Sequence, residues 1–145
     1  MPNEPLDDLA ERFAACRIPK SEWTHQAHLA VGMWHVHKLG AAGALVLLRH
    51  GIKRLNDSHG TPNNDTQGYH ETITRAYVEI LAQFLGSCDG PLDQCLKTLL
   101  TGPLAANDLL LTFYSRETLM SVGARKGWVE PDIAPLDIDA LTKQQ

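Results

Sequence analysis

The chain predicts an all-α fold, a single bundle of about five to six helices with an irregular C-terminal tail, and three observations carry that expectation. Apolar residues recur at i, i+3, i+4 and i+7 along most of its length. Clusters of Gly, Pro, Asn and Asp punctuate these stretches at helix-length intervals. The one segment that could pass for a buried strand, Leu109-Leu110-Leu111, has no neighbour to pair with.

Leu6, Leu9, Ala10 and Phe13 make one amphipathic stripe, which ends before Pro19 because proline disfavours a helical residue ahead of it. Ser21 or Thr24 can cap a second helix, running to about Lys38 and stopping at Gly40. That helix is apolar nearly all round (Leu29, Val31, Met33, Trp34, Val36), so it belongs in the centre of the bundle. A third helix, over residues 42–58, turns Leu45, Leu48, Ile52 and Leu55 inward and stops at Gly60. Residues 61–68 spell Thr-Pro-Asn-Asn-Asp-Thr-Gln-Gly, a loop of turn formers. The fourth helix, over 69–85, presents Ile73, Tyr77, Ile80, Leu81 and Phe84 to the core. A turn at 87–91 leads to shorter helices over 92–100 and 105–114, parted by Gly102-Pro103. With Pro131 and Pro135 limiting any long element, residues 121–145 read as a mostly irregular tail packed on the bundle.

Composition narrows the function. A length of 145 residues suits one domain spanning 1–145, and 43% hydrophobic with 21% charged residues is ordinary for a globular chain. The net charge of −4, with no basic stripe or tail, argues against nucleic acid. The longest apolar run, 41–48, falls short of the roughly 20 residues a membrane span requires. An acidic N-terminus without an apolar stretch behind it does not resemble a signal peptide. Cys16, Cys88 and Cys95 are odd in number and lack C-x-x-C spacing, which favours reduced thiols in the cytoplasm.

Seven histidines are many for this length. His25 and His28 lie at i and i+3 on the second helix, where two imidazoles can converge on one point. His70 falls on the apolar face of the fourth helix, where an unpaired imidazole would cost about 1–3 kcal/mol. Short connections make successive helices antiparallel, so the starts of the second and fourth helices share one end of the bundle. His25, His28 and His70, with His59 and the 61–68 loop, are expected to gather there. His35, His37 and His50 read as structural or exposed. Helix starts carry partial positive charge, so a metal among them needs an offsetting carboxylate, Glu71 or Asp65.

The segments Trp23-Thr24-His25-Gln26-Ala27-His28-Leu29, Asn64 through Thr72 with its Gly-Tyr-His-Glu-Thr motif, Tyr114-Ser115-Arg116 and Trp128 through Asp132 resemble a family of small bacterial proteins without an established activity. The resemblance covers nearly the whole chain. It implies a stand-alone bacterial cytoplasmic protein and no particular reaction.

The leading expectation is a divalent metal held by His25, His28 and His70, with a coordination position left for water or substrate. Glu71 or Asp65 would act as base, and Trp23, Asn63, Asn64, Tyr69 and Arg75 would contact a small-molecule ligand. Zinc, iron, manganese and nickel are not distinguished by spacing. Hydrolysis or oxygenation would follow from the metal. Two readings stand beside it: a metal-free module for a small anion at the same helix starts, and a structural or regulatory protein whose histidines satisfy one another. Tyr114 and Arg116 either line a pocket or belong to a short helix capped by Ser115. A homodimer through the second helix stays open.

Overall fold

The computed structural model describes residues 4–139. Among them the chain is all-α: α1 (Glu4–Ala14), α2 (His25–Ser58), α3 (Glu71–Gly86), α4 (Leu92–Leu100), α5 (Arg116–Leu119) and α6 (Val122–Lys126), with 3-10 turns at Lys20–Glu22, Pro103–Ala105 and Leu109–Thr112. The first three residues and 140–145, the end of the expected tail, lie outside the described residues.

The apolar stripe of α1 does what its spacing predicts. Leu6, Ala10 and Phe13 are buried, and Asp7 on the same helix accepts a 2.8 Å hydrogen bond from the Trp34 indole of α2. The helix ends at Ala14, and Cys16 just beyond it takes a positive φ of 56° and turns the chain towards buried Ile18.

The expected second and third helices are one element. α2 starts behind Thr24, whose hydroxyl accepts from the Ala27 amide at 3.2 Å, and breaks at Gly40 alone (φ 75°, ψ 174°). That backbone region is essentially closed to residues with a Cβ, so a single glycine makes the corner. The two arms fold back on each other: His28 and Gly32 before the corner, and Leu48 and Ile52 after it, line one cavity. The first arm buries residues on most of its faces, from Leu29 to Val36, as a central helix must. By length and composition α2 could cross a membrane, although here its first arm is packed among other helices.

α3 lies against α2 with Ala76, Val78, Ile80 and Leu81 buried and Ile73, Tyr77 and Phe84 at the margin of the core. α4 follows the predicted span. Two expectations are corrected beyond it. Residues 105–114 form no α-helix but a 3-10 turn that drops Leu109 and Leu110 into the core. Within the stretch expected to be irregular, α6 forms behind the Ser121 cap, whose hydroxyl accepts from Ala124 at 3.1 Å. The described remainder, residues 127–139, packs on the bundle. Tyr114 donates to the Val129 carbonyl at 2.7 Å, and Gln83 bonds both Leu136 and Ile138 main-chain groups.

The cysteines are also corrected. Cys88 and Cys95 form a disulfide across the turn leading into α4, with Cα atoms 6.2 Å apart, and only Cys16 is free. Their separation of seven residues matches no familiar motif; the turn at 87–91 brings them together.

Candidate functional site

Most of the residues singled out from the sequence line one or other of two separate cavities, and His70 and Arg75 line neither. The first, of about 320 Å³, lies between the two arms of α2 and the first half of α3. Its walls are apolar except where Trp23, His25, His28, Thr74 and Tyr77 face in. Gly32 helps keep it open, since a Cβ there would approach the Leu81 methyl to 2.9 Å. His25 and His28 therefore do share a face with Gly32, as their spacing requires.

Their surroundings differ. His28 donates Nδ1–H to the Thr24 carbonyl at 2.8 Å, which leaves Nε2 as an acceptor in the neutral ring. Trp23 lies tilted over it with centroids 3.8 Å apart. His28 keeps exposed surface, yet the protein around its ring lowers its pKa by desolvation; the Thr24 bond opposes this and His25 adds to it. His25 is the outlier. Its Nε2 is the one buried side-chain nitrogen or oxygen among the described residues without a hydrogen-bond partner. Its ring meets Tyr77 edge to face at 6.0 Å, and the Tyr77 hydroxyl is itself pushed up to about 12 by burial and then by Asp108. A second recess of about 300 Å³ opens on the other side of His25, Ile73 and Tyr77, with Asp108 and Arg116 at its rim.

His70 stands outside this cavity. It is the N-cap of α3 and not a residue on its apolar face: Nδ1 accepts from the Ile73 amide at 3.1 Å, while Nε2 donates to the Leu119 carbonyl at 2.7 Å. Both ring nitrogens are spent, and burial lowers its pKa, opposed by the Leu119 bond. His59 likewise donates Nε2–H to the Ile18 carbonyl at 2.7 Å. His25, His28 and His70 are thus not brought together, and among the described residues no three His, Cys, Asp or Glu side chains gather in one place. His35 is buried and bonded to Val31, and His37 and His50 are exposed, as expected.

The loop residues serve a second, polar cleft of about 700 Å³. Asn63 holds the loop together, accepting from the Tyr69 amide at 2.9 Å and Asn56 at 3.0 Å while donating to the Lys53 carbonyl at 3.1 Å. Asn64 closes the next turn by accepting from the Thr66 and Gln67 amides. Gly68 (φ 80°) lets the chain pass the Pro62 carbonyl, which any Cβ would strike. At the floor, Glu71 receives two bonds from Arg49 and a third at 2.7 Å from the Tyr69 hydroxyl. Arg49 above all holds the Glu71 carboxyl below its ordinary pKa, with burial opposing. A carboxylate so bonded is a weak base. Asp65 pairs with Lys126 at 2.7 Å, both more than half exposed.

Arg75 is drawn to the outer face, over the Trp128 ring at 4.2 Å and 3.6 Å from Glu79. Arg125, Lys126 and Trp128 complete the polar cleft, Thr74 and Tyr77 complete the apolar one, and Arg116 belongs to the adjoining recess. Ser115 caps α5, as the capped-helix reading of that segment expects, while Arg116 still lines the recess. No protein-family model matches this chain, and no curated protein or solved structure matches it either.

Proposed function

We propose that this protein binds a small, mainly apolar molecule between the arms of α2 and α3, with His25 as its polar contact. The carrying observation is the buried, unpartnered Nε2 of His25 in a cavity otherwise lined by Trp23, Leu48, Ile52, Ile73 and other apolar groups. An unmet buried nitrogen costs about 1–3 kcal/mol, and a ligand bearing one hydrogen-bonding group relieves that cost on binding. A volume of about 320 Å³ is at the small end of ligand sites, which run from roughly 300 to 1,000 Å³. The adjoining recess offers Arg116, which has no ion pair among the described residues, to a ligand's acidic end.

The test is a thermal-shift titration with indole, benzoate and phenylacetate, reading Trp23 fluorescence in parallel. Stabilisation of the wild type that disappears in His25→Leu supports the proposal. No shift with any probe, or equal shifts in the variant, overturns it.

A second reading keeps the divalent metal. The backbone-anchored Nδ1–H of His28 is the arrangement that orients metal-ligating imidazoles, and His25 one turn away has a nitrogen to spare. Two histidines would leave the other positions to the bound molecule or water. Elemental analysis of tag-free protein beside His25→Ala/His28→Ala tests it: near-stoichiometric metal in the wild type alone supports it, and none after reconstitution with zinc, iron, manganese and nickel ends it.

A further inference from the structure

The polar cleft is separate from the cavity of the proposed function and calls for different chemistry. Four cationic side chains, Arg49, Lys53, Arg125 and Lys126, face it against two carboxylates, Asp65 and Glu71. Those carboxylates are already engaged, Glu71 by Arg49 and Asp65 by Lys126. Lys53 and Arg125 form no ion pair among the described residues, although Lys53 is near enough to Glu71 to help lower its pKa. Lys53 places Nζ over the Tyr69 ring, 5.1 Å from its centroid. Arg125 donates one Nη1–H to the Gly68 carbonyl at 2.9 Å, a neutral acceptor that holds the guanidinium without cancelling its charge. Neither residue has a carboxylate in direct ion-pair contact among the described residues. A guanidinium has five N–H donors and an ammonium three, so most remain for a ligand.

The surroundings are built rather than incidental. Asn63, Asn64 and Gly68 fix the loop carrying Tyr69, the Arg49–Glu71 pair fixes the floor, and Trp128 closes a wall. In a chain of net charge −4, two unpaired cations concentrated in one recess mark a place for negative charge.

We propose that this cleft binds a small dianion, a phosphate ester or a dicarboxylate, between Lys53 and Arg125. The shared chemistry is two negative charges on compact oxygen acceptors, which the planar guanidinium meets in a fork and the ammonium as a point charge.

Isothermal titration with methyl phosphate and with succinate tests this on the whole chain. The variants are Lys53→Gln, Arg125→Gln and, as a control of equal charge change, Lys97→Gln on the exposed face of α4. Saturable binding of at least one probe is expected, weakened tenfold or more by Lys53→Gln and by Arg125→Gln and unchanged by Lys97→Gln. Which probe binds tells phosphate from carboxylate chemistry. Arg125 also steadies the loop, so Lys53→Gln, whose side chain makes no hydrogen bond among the described residues, is the decisive variant. No binding of either probe, binding unaffected by Lys53→Gln, or equal weakening by Lys97→Gln overturns the proposal.

Discussion

Arg49 grips Glu71 through two parallel hydrogen bonds, Nε to Oε1 at 2.8 Å and Nη2 to Oε2 at 2.7 Å, and so ties the second arm of α2 to the first residue of α3. The partners are unequally covered, with side-chain exposures of 39% for Arg49 and 13% for Glu71. Either charge left alone loses its partner, but only the guanidinium can turn to water. Glu71→Gln is therefore expected to cost about 1 kcal/mol, after discounting for screening at the exposed guanidinium. Arg49→Met should cost more, about 2 kcal/mol, because it strands the better-buried carboxylate. Urea denaturation of both variants checks the order, and the reverse order would count against this account.

The same pair sets an acid dependence. Glu71 has its pKa lowered in the folded chain, first by Arg49. Its unfolded state therefore takes up a proton before its folded state does. The stabilisation is whole above about pH 4.5 and is lost as pH falls through the depressed folded value. In Glu71→Gln this contribution is absent, so wild type and variant should converge in stability as pH drops from 5 towards 3 (approximate limits set by ordinary carboxylate values).

His25 should show the opposite balance between stability and function. Its unmet Nε2 is a cost to the ligand-free fold. His25→Leu removes that nitrogen from an apolar wall and is expected to leave stability unchanged or raise it by about 1 kcal/mol, while abolishing probe binding in the cavity. A loss of more than about 1 kcal/mol would mean that the imidazole supports the fold in some other way.

Local signals and long-range ones were not equally legible in the sequence. Periodicity alone places Leu6, Ala10 and Phe13 inside and marks Gly40 as the stop of the central helix. It also puts His25 and His28 on one face. The capping role of His70 is not legible in the sequence, because cap preferences favour Ser, Thr, Asp and Asn, and here an imidazole Nδ1 does that work. Asn63, Asn64, Asp65, Tyr69 and Glu71 do surround one cleft, but it is not the cavity that His25 and His28 line. Sequence spacing says which loop residues travel together, not which face of the bundle the loop covers. Arg125 and Trp128 join Tyr69 across more than fifty residues, a closure that no local pattern encodes.

Buried histidines predict a second pH window. His35 and His70 both have lowered pKa values, chiefly through burial, against main-chain bonds that pull the other way. A histidine kept neutral in the fold lets the unfolded chain gain protons first. Stability is thus full above about pH 6.5, the ordinary histidine value, and declines as pH falls towards the lowered folded values. The melting temperature should drop between pH 7.5 and pH 5.5 (approximate limits bracketing ordinary histidine titration), and the drop should shrink in His70→Asn. Asparagine can keep the α3 cap without titrating. An unchanged slope in that variant would place the pH sensitivity elsewhere.

Gly40 and Gly68 share a positive φ, 75° and 80°, but not their surroundings, and the difference separates strain from collision. An added Cβ at Gly40 meets nothing within 4 Å, so Gly40→Ala is charged only with the unfavourable backbone region, about 1–2 kcal/mol. At Gly68 the same atom runs into the Pro62 carbonyl and lies 2.9 Å from Asn63 Cα, both in the loop that Asn63 holds closed. Backbone cannot step aside as a flexible side chain can. Gly68→Ala should therefore cost more than Gly40→Ala, about 3 kcal/mol or above, and should also expose the Tyr69 amide by breaking its bond to Asn63. Denaturation midpoints give the ordering, and amide exchange at Tyr69 gives the location. Faster exchange in Gly68→Ala alone would tie the loss to the loop, whereas equal midpoints would show that the loop relaxes around the new methyl without disturbing the cleft.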